Sequence, residues 1–422
     1  MTKPASALTI VPPQTPLSGR VALPGSKSIT NRMLLIAALA HGTSRLTGAL
    51  KSDDTKHMAA ALRKLGVDVE EPEATSFVVT ASGTLRPSAE PLFLGNAGTA
   101  MRFLTAAAAT IQGTTILDGD AHMRKRPIAP LVEALRRMGV TIDAPSGCPP
   151  VHVEGVGIPG GRVIVDAGLS SQYVSALLIA AACAKGPVEV VLAGGDIGAR
   201  GYIDLTLAAM ETFGGQIMPV GQTGWTVAAT GYQAADAMVE PDASAATYLW
   251  AAEVLTGGKI DIGLASDRFS QPDAKAQALI AASPQMPGVI DGSQMQDAIP
   301  TLAVLAAFNA RPVRFTGIAN LRVKECDRVR ALSTELNRIR SGLAEEQGDD
   351  LLVHGDPGLA GQTLPTAIET YADHRIAMAF SLAGLKIGGI RILDPGCVAK
   401  TYPGYWDALA SLGVQLVPEV GA

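Results

Sequence analysis

The residues with the clearest chemical potential lie near the amino terminus, where an apolar helix is predicted to begin. Lys27, Ser28 and Arg32 stand at the start of the apolar run 33–40. We expect Ser28 to cap this helix, because a serine oxygen can accept from its first free amides. Those amides, the helix dipole and the two cations favour an anion, so the stretch predicts a phosphate or carboxylate site. A capped helix with solvent-exposed cations is the competing interpretation.

A nucleotide-binding P-loop does not fit this stretch. A Walker A motif has glycine immediately before its lysine and another glycine five residues earlier. Ser26 and Val21 occupy those positions here. The sequence therefore argues against an ATP-hydrolysing enzyme of that class.

Two further polar stretches precede predicted helices. Asn96 can donate hydrogen bonds and Gly98 leaves room for a ligand near the backbone, although a tight turn with a left-handed glycine also explains them. Ser170 is expected to cap the next helix, and with Ser171 and Gln172 it offers neutral donors for phosphate or hydroxyl oxygens. Simple capping would account for this second group on its own.

Charged side chains are densest in two other places. Arg126 ends a cationic trio before a predicted helix, where positive charge opposes the dipole and a bound anion would remove the conflict. Lys324 and Arg328 are spaced to share one helical face, with Glu325 three residues before Arg328 and the amide of Asn320 just ahead. A solvated helix carrying surface ion pairs is the ordinary interpretation of such a pattern.

Four residues complete the set of candidates. Asp297 precedes an apolar helix and is either an ordinary cap or a carboxylate held at a site. His374 and Arg375 precede another apolar run, and such a histidine is more often a buried structural residue. Lys400 lies close to the carboxyl terminus. Each of these stretches is a weak signal alone, but their joint occurrence, mostly at helix starts in different repeat units, is much harder to dismiss.

Composition limits the functional class. A chain of 422 residues should form two or three domains, and its 17% charged content suits a compact enzyme. The net charge of −5 favours neither a nucleic acid nor an anionic membrane as partner. The four cysteines form no CxxC pair, the histidines lack metal spacing, and no apolar run could cross a bilayer. Because the first residues also lack a signal peptide's apolar core, we expect a cytoplasmic protein without metal.

A unit of helix, glycine and strand recurs at intervals of about seventy residues. The copies end in similar short sequence segments at 61–67, 134–140, 209–215 and 408–414, with a weaker copy near 341–342. A sixth copy would fall where 276–282 is predicted to be helical. The glycine after each helix suits a left-handed cap, and a more apolar helix precedes it within each unit. Helix, glycine and strand follow one another in many α/β proteins, but the regular spacing favours true repetition and predicts six α/β units.

Taken together, these stretches resemble the EPSP synthase (3-phosphoshikimate 1-carboxyvinyltransferase) family. The matching blocks run in family order at 23–32, 92–102, 124–127, 170–172, 320–328, 371–375 and 399–403. The resemblance implies an α/β fold of α+β repeats, the two-domain enolpyruvyl transferase fold, with six βαβαββ units, three per domain. One domain would span 25–238 and the other 1–24 plus 239–422. Hinges near 24–25 and 239–241 would flank an interdomain cleft lined by helix N-termini.

The resemblance also implies a reaction. The family transfers the enolpyruvyl group of phosphoenolpyruvate (PEP) to the 5-hydroxyl of shikimate-3-phosphate through a tetrahedral intermediate, without metal or organic cofactor. Catalytic residues would be Asp297, Glu325 and Lys27, the first taking a proton and the second delivering one. Shikimate-3-phosphate would contact Lys27, Ser28, Arg32, Ser170, Ser171, Gln172, Tyr202, Asp297, Asn320 and Lys324. PEP would contact Lys27, Asn96, Gly98, Arg126, Gln172, Arg328, His374, Arg375 and Lys400.

Two positions depart from the family pattern. Ala199 stands where the family usually has a phosphate-binding serine, so Arg200 would have to compensate. Phe103 replaces a common proline and leaves sensitivity to glyphosate, the family's herbicide, open. The nearest rival is the sister transferase acting on UDP-N-acetylglucosamine, whose Lys-Asn pair and loop cysteine are missing here. A non-catalytic anion-binding protein is disfavoured by Asp297 and Glu325. The family leads us to expect a monomer.

Overall fold

Two compact units make up the protein. The computed structural model describes residues 5–194 and 199–420. Gly25–Pro241 forms one unit, called here the continuous unit. Met1–Pro24 together with Asp242–Ala422 forms the other, called the split unit because it joins both ends of the chain. The chain therefore passes between the units twice, after Pro24 and after Pro241.

Helices and short strands alternate along the described residues. The α-helices are α1 (Lys27–Leu39), α2 (Asp53–Lys64), α3 (Gly98–Ala108), α4 (Ala129–Arg137), α5 (Ser171–Ala181), α6 (Gly201–Thr212), α7 (Ala243–Thr256), α8 (Ala276–Ala281), α9 (Ile299–Ala306), α10 (Arg328–Ile339), α11 (His374–Gly384) and α12 (Tyr405–Ser411). The strands of the continuous unit are β3 (Ala40–Thr47), β4 (Asp68–Glu70), β5 (Phe77–Ser82), β6 (Leu92–Phe93), β7 (Gln112–Asp118), β8 (Thr141–Asp143), β9 (Val151–Val156), β10 (Gly161–Val165), β11 (Val188–Leu192), β12 (Ile217–Val220), β13 (Gly224–Val227), β14 (Tyr232–Gln233) and β15 (Ala237–Met238). Those of the split unit are β1 (Ala5–Val11), β2 (Ser18–Arg20), β16 (Lys259–Asp261), β17 (Val289–Asp291), β18 (Val313–Thr316), β19 (Ala344–Gln347), β20 (Asp350–Val353), β21 (Thr363–Ile368), β22 (Gly388–Leu393) and β23 (Gln415–Val420).

Five sheets of the described residues share one arrangement of parallel and antiparallel strands. Their strand orders are β14-β3-β5-β4, β6-β7-β9-β8 and β10-β11-β13-β12 in the continuous unit, and β17-β18-β20-β19 and β21-β22-β1-β23 in the split unit. In each sheet the first two strands are parallel and the remaining pairs are antiparallel. Sequential units such as β6-α3-β7-α4-β8-β9 are therefore βαβαββ repeats, as expected from the sequence.

Two of these sheets are completed from far along the chain. Strand β14 pairs with β3 in parallel, with Tyr232 opposite Ala40. Strand β1 lies between β22 and β23 and is antiparallel to both, with Thr9 opposite Arg391 and Val417. Neither closure could be inferred from the local pattern, because each partner strand lies outside the repeat that it completes.

The sixth repeat is reduced. Strands β2 and β16 form a two-stranded parallel sheet in which Lys259 is opposite Ser18. The predicted sixth helix is present as α8 and is preceded by short 3₁₀ turns, but no further strand lies between β16 and β17 in this fully described stretch. The amide of Ile260 donates to Glu253 Oε2 at 2.6 Å, so a carboxylate satisfies a donor on β16.

Each complete repeat has an inner and an outer helix. Every residue of α3 and of α11 is buried, and most of their side chains are apolar or small, as expected for helices enclosed by protein. The charged or polar exceptions lie near the helix starts and are Arg102, His374 and Arg375. The outer helices α2 and α4 have charged exposed faces and end in glycines with positive φ, +87° at Gly66 and +84° at Gly139. Those left-handed caps confirm the recurring helix-glycine signal.

Candidate active site

The first predicted anion-binding stretch lies at the start of α1. Ser26, not Ser28, is the N-cap: its Oγ accepts from the amide of Ile29 at 3.4 Å. The prediction of Ser28 as cap was therefore wrong by two residues, because the helix starts at Lys27 and the extended backbone of Ser26 brings the earlier hydroxyl within reach of the free amides. Lys27 Nζ lies 3.5 Å from Asp54 Oδ2, and both side chains are largely buried.

Arg32 is enclosed inside the continuous unit. Its guanidinium donates to Thr206 Oγ1 at 2.7 Å, to the carbonyl of Ser28 at 2.8 Å and to that of Tyr202 at 3.0 Å. The ring of Phe103 lies 5.2 Å from the guanidinium carbon, within cation–π range. Burial lowers the pKa of Arg32 to about 10, which still leaves it protonated at neutral pH. Phe103, the departure from the family pattern, thus packs against a predicted substrate residue.

Two arginines converge on the first turn of α3. Arg126 Nη1 donates to the carbonyl and the Oδ1 of Asn96, at 3.2 and 3.0 Å. Arg102 Nη1 donates to the carbonyl of Gly98 at 3.0 Å. A Cβ added at Gly98 would lie 2.6 Å from nitrogens of both guanidiniums, so glycine is required for this approach. Gly98 is the first residue of the helix and does not adopt a left-handed turn.

The start of α5 matches its prediction. Ser170 is the N-cap, and its Oγ accepts from the amide of Gln172 at 3.2 Å. Gln172 Nε2 donates to Thr99 Oγ1 at 3.3 Å, which links the starts of α5 and α3. Ser171 follows as the first helical residue and is buried. The predicted donors of this unit therefore occupy adjacent helix starts.

The segment before Tyr202 is described only in part. Residues 195–198 lie outside the described residues, whereas Ala199 has a φ of +61° and begins the approach to α6. Arg200 Nη1 donates to the carbonyl of Gln222 at 2.9 Å, and its guanidinium carbon lies 5.7 Å from the ring of Trp225. Compensation for the missing serine by Arg200 stays a prediction.

The split unit holds a dense ion cluster. Arg328 is almost completely buried and donates to Asp373 Oδ2 and Glu325 Oε2, both at 2.7 Å, and to Asp297 Oδ1 at 3.3 Å. Burial alone would lower the pKa of Arg328, but Asp373, Glu325 and Asp297 more than offset it and raise that pKa above its ordinary value. The guanidinium of Arg328 thus donates hydrogen bonds to three carboxylates.

Further cations surround the same carboxylates. Arg375 Nη2 donates to Asp297 Oδ2 at 2.7 Å, and Lys400 Nζ lies 3.0 Å from Glu325 Oε1. Lys324 Nζ is 4.0 Å from Asp297 Oδ1. Asp297 belongs to the 3₁₀ helix Gln296–Ala298 and does not cap α9. The interpretation of Asp297 as an ordinary cap of α9 is therefore wrong, and its place in a functional site stays a prediction.

Local structure around residue 325 differs from the prediction. The helix α10 begins only at Arg328, with Asp327 as its N-cap, so Lys324 precedes the helix and shares no helical face with Arg328. The Glu325–Arg328 pair does form, but it is buried and does not lie on a solvated surface. Asn320 is buried, and its Oδ1 has no hydrogen-bond partner among the described residues.

His374 and Arg375 begin α11. His374 is completely buried, and its Nδ1 lies 3.7 Å from Asp373 Oδ1. The same carboxylate caps the helix by accepting from the amide of Arg375 at 2.9 Å. Sequence reasoning assigned no role to Asp373, Asp54 or Arg102. The signal for Asp373 and Asp54 was their position at helix starts, whereas nothing local pointed to Arg102.

Metal-binding clusters, disulfides and membrane-spanning helices are absent from the described residues. Within residues 5–194 and 199–420, no group of three or more His, Cys, Asp or Glu side chains could hold a metal ion. The four cysteines are free thiols. No helix in the described part of the chain is both long and apolar enough to span a membrane.

Comparison with known proteins decides the family. A sequence profile described as EPSP synthase (3-phosphoshikimate 1-carboxyvinyltransferase) matches residues 11–409. The chain belongs to the EPSP synthase family. It is 66% identical to the 3-phosphoshikimate 1-carboxyvinyltransferases of Pseudomonas savastanoi pv. phaseolicola and Rhizobium etli, covering 98% of this chain and 99% of each relative. The resemblance drawn from the motifs is thereby confirmed.

Solved structures support the fold. EPSP synthase from Acinetobacter baumannii matches with a TM-score of 0.76 at 24% identity, over 99% of this chain and 100% of that one. The enolpyruvyl transferase NikO from Streptomyces tendae matches with a TM-score of 0.73 at 17% identity, over the same shares of the two chains. These likenesses confirm the predicted fold class of an EPSP synthase family member.

Proposed function

We propose that this protein transfers the enolpyruvyl group of PEP to the 5-hydroxyl of shikimate-3-phosphate, releasing phosphate. Membership of the EPSP synthase family and the names of its 66% identical relatives support this activity. The observation that carries it is the ion cluster of the split unit, where Asp297 and Glu325 lie within hydrogen-bond or ion-pair distance of Arg328, Arg375 and Lys400. Such a cluster supplies both charge neutralisation for an anionic substrate and two groups for proton transfer.

The first step is addition. The 5-hydroxyl oxygen bonds to C2 of PEP, while its proton passes to a base and another proton reaches the methylene carbon C3. Asp297 suits the role of base because Arg328 and Arg375 favour its ionised form. The product of this step is a tetrahedral phosphate ketal.

Glu325 is assigned to the proton delivered to C3. In the unliganded cluster its two oxygens face Arg328 and Lys400, which favour the carboxylate over the acid. The phosphate and carboxylate of PEP would draw those cations away electrostatically and so raise the proton affinity of Glu325. Substrate binding itself would then create the acid that the addition requires.

The second step is elimination. The C2–O bond to phosphate breaks, a proton leaves C3, and the enol ether double bond forms. Asp297 and Glu325 exchange roles, since the groups that gave and took protons now act in reverse. Cations that hold the phosphate stabilise the negative charge of the leaving group. Lys27 is assigned to assist them from the continuous unit.

The remaining predicted residues are assigned to binding. Shikimate-3-phosphate would be held by Lys27, Ser28, Arg32, Ser170, Ser171, Gln172, Tyr202, Asp297, Asn320 and Lys324. PEP would be held by Lys27, Asn96, Gly98, Arg126, Gln172, Arg328, His374, Arg375 and Lys400. The buried Oδ1 of Asn320 supports this assignment, because a substrate hydroxyl would satisfy an acceptor that lacks a partner in the described residues.

Other properties stay predictions. A hinge where the chain passes between the units would be supported by a smaller radius of gyration in X-ray scattering at saturating shikimate-3-phosphate. Four free thiols fit the reducing environment of a cytoplasmic protein. The monomeric state would be tested by sedimentation, and activity without metal would be tested in the presence of a chelator.

Phosphate release provides the direct test. The purified protein is incubated with PEP and shikimate-3-phosphate, and phosphate and the enol ether are quantified by colorimetry and mass spectrometry. Parallel reactions replace the acceptor by unphosphorylated shikimate or by UDP-N-acetylglucosamine, and an Asp297→Asn variant serves as the control protein. Turnover only with shikimate-3-phosphate is expected. Turnover with UDP-N-acetylglucosamine, or none with any acceptor, would reject the proposal.

A further inference from the structure

Arg322 stands in the charged block of the split unit, between Asn320 and Lys324, and has no assigned role in binding or catalysis. Its Nη1 donates to Asp327 Oδ2 at 2.9 Å and to Glu346 Oε2 at 2.8 Å. Its Nε donates to Asp349 Oδ1 at 2.8 Å, and its Nη2 donates to the carbonyl of Gly348. All three guanidinium nitrogens are therefore used by protein acceptors.

These bonds enclose a specific segment of the chain. Asp327 caps α10 by accepting from the amide of Arg330 at 3.0 Å, so its position is set by the helix. The bond from Arg322 to Asp327 closes the four residues 323–326 into a ring. Lys324 and Glu325 lie within that ring, and both belong to the proposed site.

The other acceptors anchor the ring to a rigid element. Glu346 is on β19, and Gly348 and Asp349 form the turn between β19 and β20. Gly348 has a φ of +63°, as expected in a tight hairpin turn. Arg322 thus ties the segment that carries Lys324 and Glu325 to a β-hairpin, while Arg328 and Lys400 hold Glu325 from its other side.

We propose that Arg322 is a positioning residue that holds Lys324 and Glu325 in place for substrate binding and proton transfer. The inference rests on the proposed function. Residues 324–327, which lie between the 3₁₀ helix Ala319–Val323 and α10, would otherwise sample several conformations. Catalytic groups displaced by about 1 Å can lose about a hundredfold in rate. Arg322 acts through these residues and does not itself bind substrate.

The first test compares two arginines that donate to residues of the same β-hairpin. Arg314 Nε and Nη2 donate to Asp350 Oδ2 at 2.9 and 2.7 Å, but Arg314 has no bond to the segment 323–326. Arg322→Gln should lower kcat by about tenfold to a hundredfold and raise the KM for shikimate-3-phosphate. Arg314→Gln should stay within about twofold of the unmodified protein. Equal effects of the two substitutions would overturn the inference.

A second test separates positioning from folding. Arg322→Gln leaves the negative charges of Asp327, Glu346 and Asp349 close together, which would lower the melting temperature. Adding Glu346→Gln relieves part of that repulsion and should restore melting temperature while kcat stays low. Recovery of kcat in step with melting temperature would show a purely structural role and overturn the inference.

A third test asks whether Arg322 acts through Glu325. In a double-mutant cycle, Arg322→Gln should cost much less kcat in a Glu325→Gln background than in the unmodified protein. Full additivity would overturn the inference. No phosphate release by the unmodified protein would reject the proposed function and this inference together, whereas unchanged kinetics of Arg322→Gln would reject this inference alone.

Discussion

The two units differ in the chemical groups that they offer to an anionic ligand. In the continuous unit, the predicted residues stand at the starts of α1, α3 and α5, where backbone amides, hydroxyls and amides of side chains accompany Lys27 and Arg126. In the split unit, the cations alternate with carboxylates, and Arg328 alone contacts three of them. The continuous unit thus offers mainly neutral donors, and the split unit offers groups that can exchange protons.

This difference indicates a division of labour. Neutral donors at helix starts can hold a phosphate without a carboxylate partner, and the ion pair of Lys27 with Asp54 is the exception among the predicted residues of this unit. Carboxylates among cations have the opposite effect on binding, because they weaken the attraction of those cations for an anionic ligand. In return, the neighbouring cations control the proton affinity of the carboxylates. We therefore expect substitutions in the split unit to affect mainly the chemical step and those in the continuous unit, apart from Lys27, to affect mainly binding.

The largest expected effect is that of Glu325→Gln in the split unit. The amide keeps the size of the side chain but cannot deliver the proton, so kcat should fall about 10²–10⁴-fold while PEP binding persists. Single-turnover kinetics and PEP titration would separate the two quantities. Glu345→Gln, on the exposed side of β19, is the matched control. A weakened PEP affinity with an unchanged chemical step would break the comparison.

Lys27→Ala should come next. It removes a cation assigned to both substrates and leaves Asp54 buried beside an empty position, so turnover should fall at least about a hundredfold. Circular dichroism should show a folded protein. Lys56→Ala removes an exposed lysine of the same unit, 3.6 Å from Asp53, and should retain full activity. Near-normal turnover of Lys27→Ala would remove this residue from the mechanism.

Arg126→Gln should act on PEP binding within the continuous unit. Loss of a charge-assisted contact of about 1.5–3 kcal/mol corresponds to an increase of roughly ten- to a hundredfold in the KM for PEP. Arg124, two residues earlier, is exposed and paired with Asp118, so Arg124→Gln should change that KM less than about twofold. A fall in kcat as large as the rise in KM would contradict the expectation that this unit acts mainly in binding.

Ser170 provides the smallest and finest test. Alanine removes the cap of α5 and should lower the free energy of unfolding by about 1 kcal/mol, whereas glycine should lower it by only a few tenths. Both remove the hydroxyl that is assigned to shikimate-3-phosphate, so both should raise its KM alike. Chemical denaturation and steady-state kinetics of the two variants would compare these quantities. A KM that follows stability would assign the hydroxyl to capping alone.

Sequence reasoning succeeded where the signal was local. The left-handed glycines after α2 and α4, the cap at Ser170 and the polar starts of the inner helices all depend on neighbouring residues, and the structure confirms them. It failed where tertiary contacts decide. The burial of Arg32 under Phe103 requires α3 and α6, and the loop at Lys324 depends on the hairpin that Arg322 reaches. Arg102 was missed for the same reason.

The position of β1 has a consequence for synthesis. Residues 5–11 form an interior strand between β22 and β23, so a sheet begun at one end of the polypeptide is closed only by the other. At roughly 5–20 residues per second, β1 would wait about 20–80 seconds on the ribosome for its partners. Gly25–Pro241 has all its strands in one uninterrupted stretch and can fold during that interval. The nascent chain must therefore keep β1 unaggregated until β22 and β23 have been synthesised.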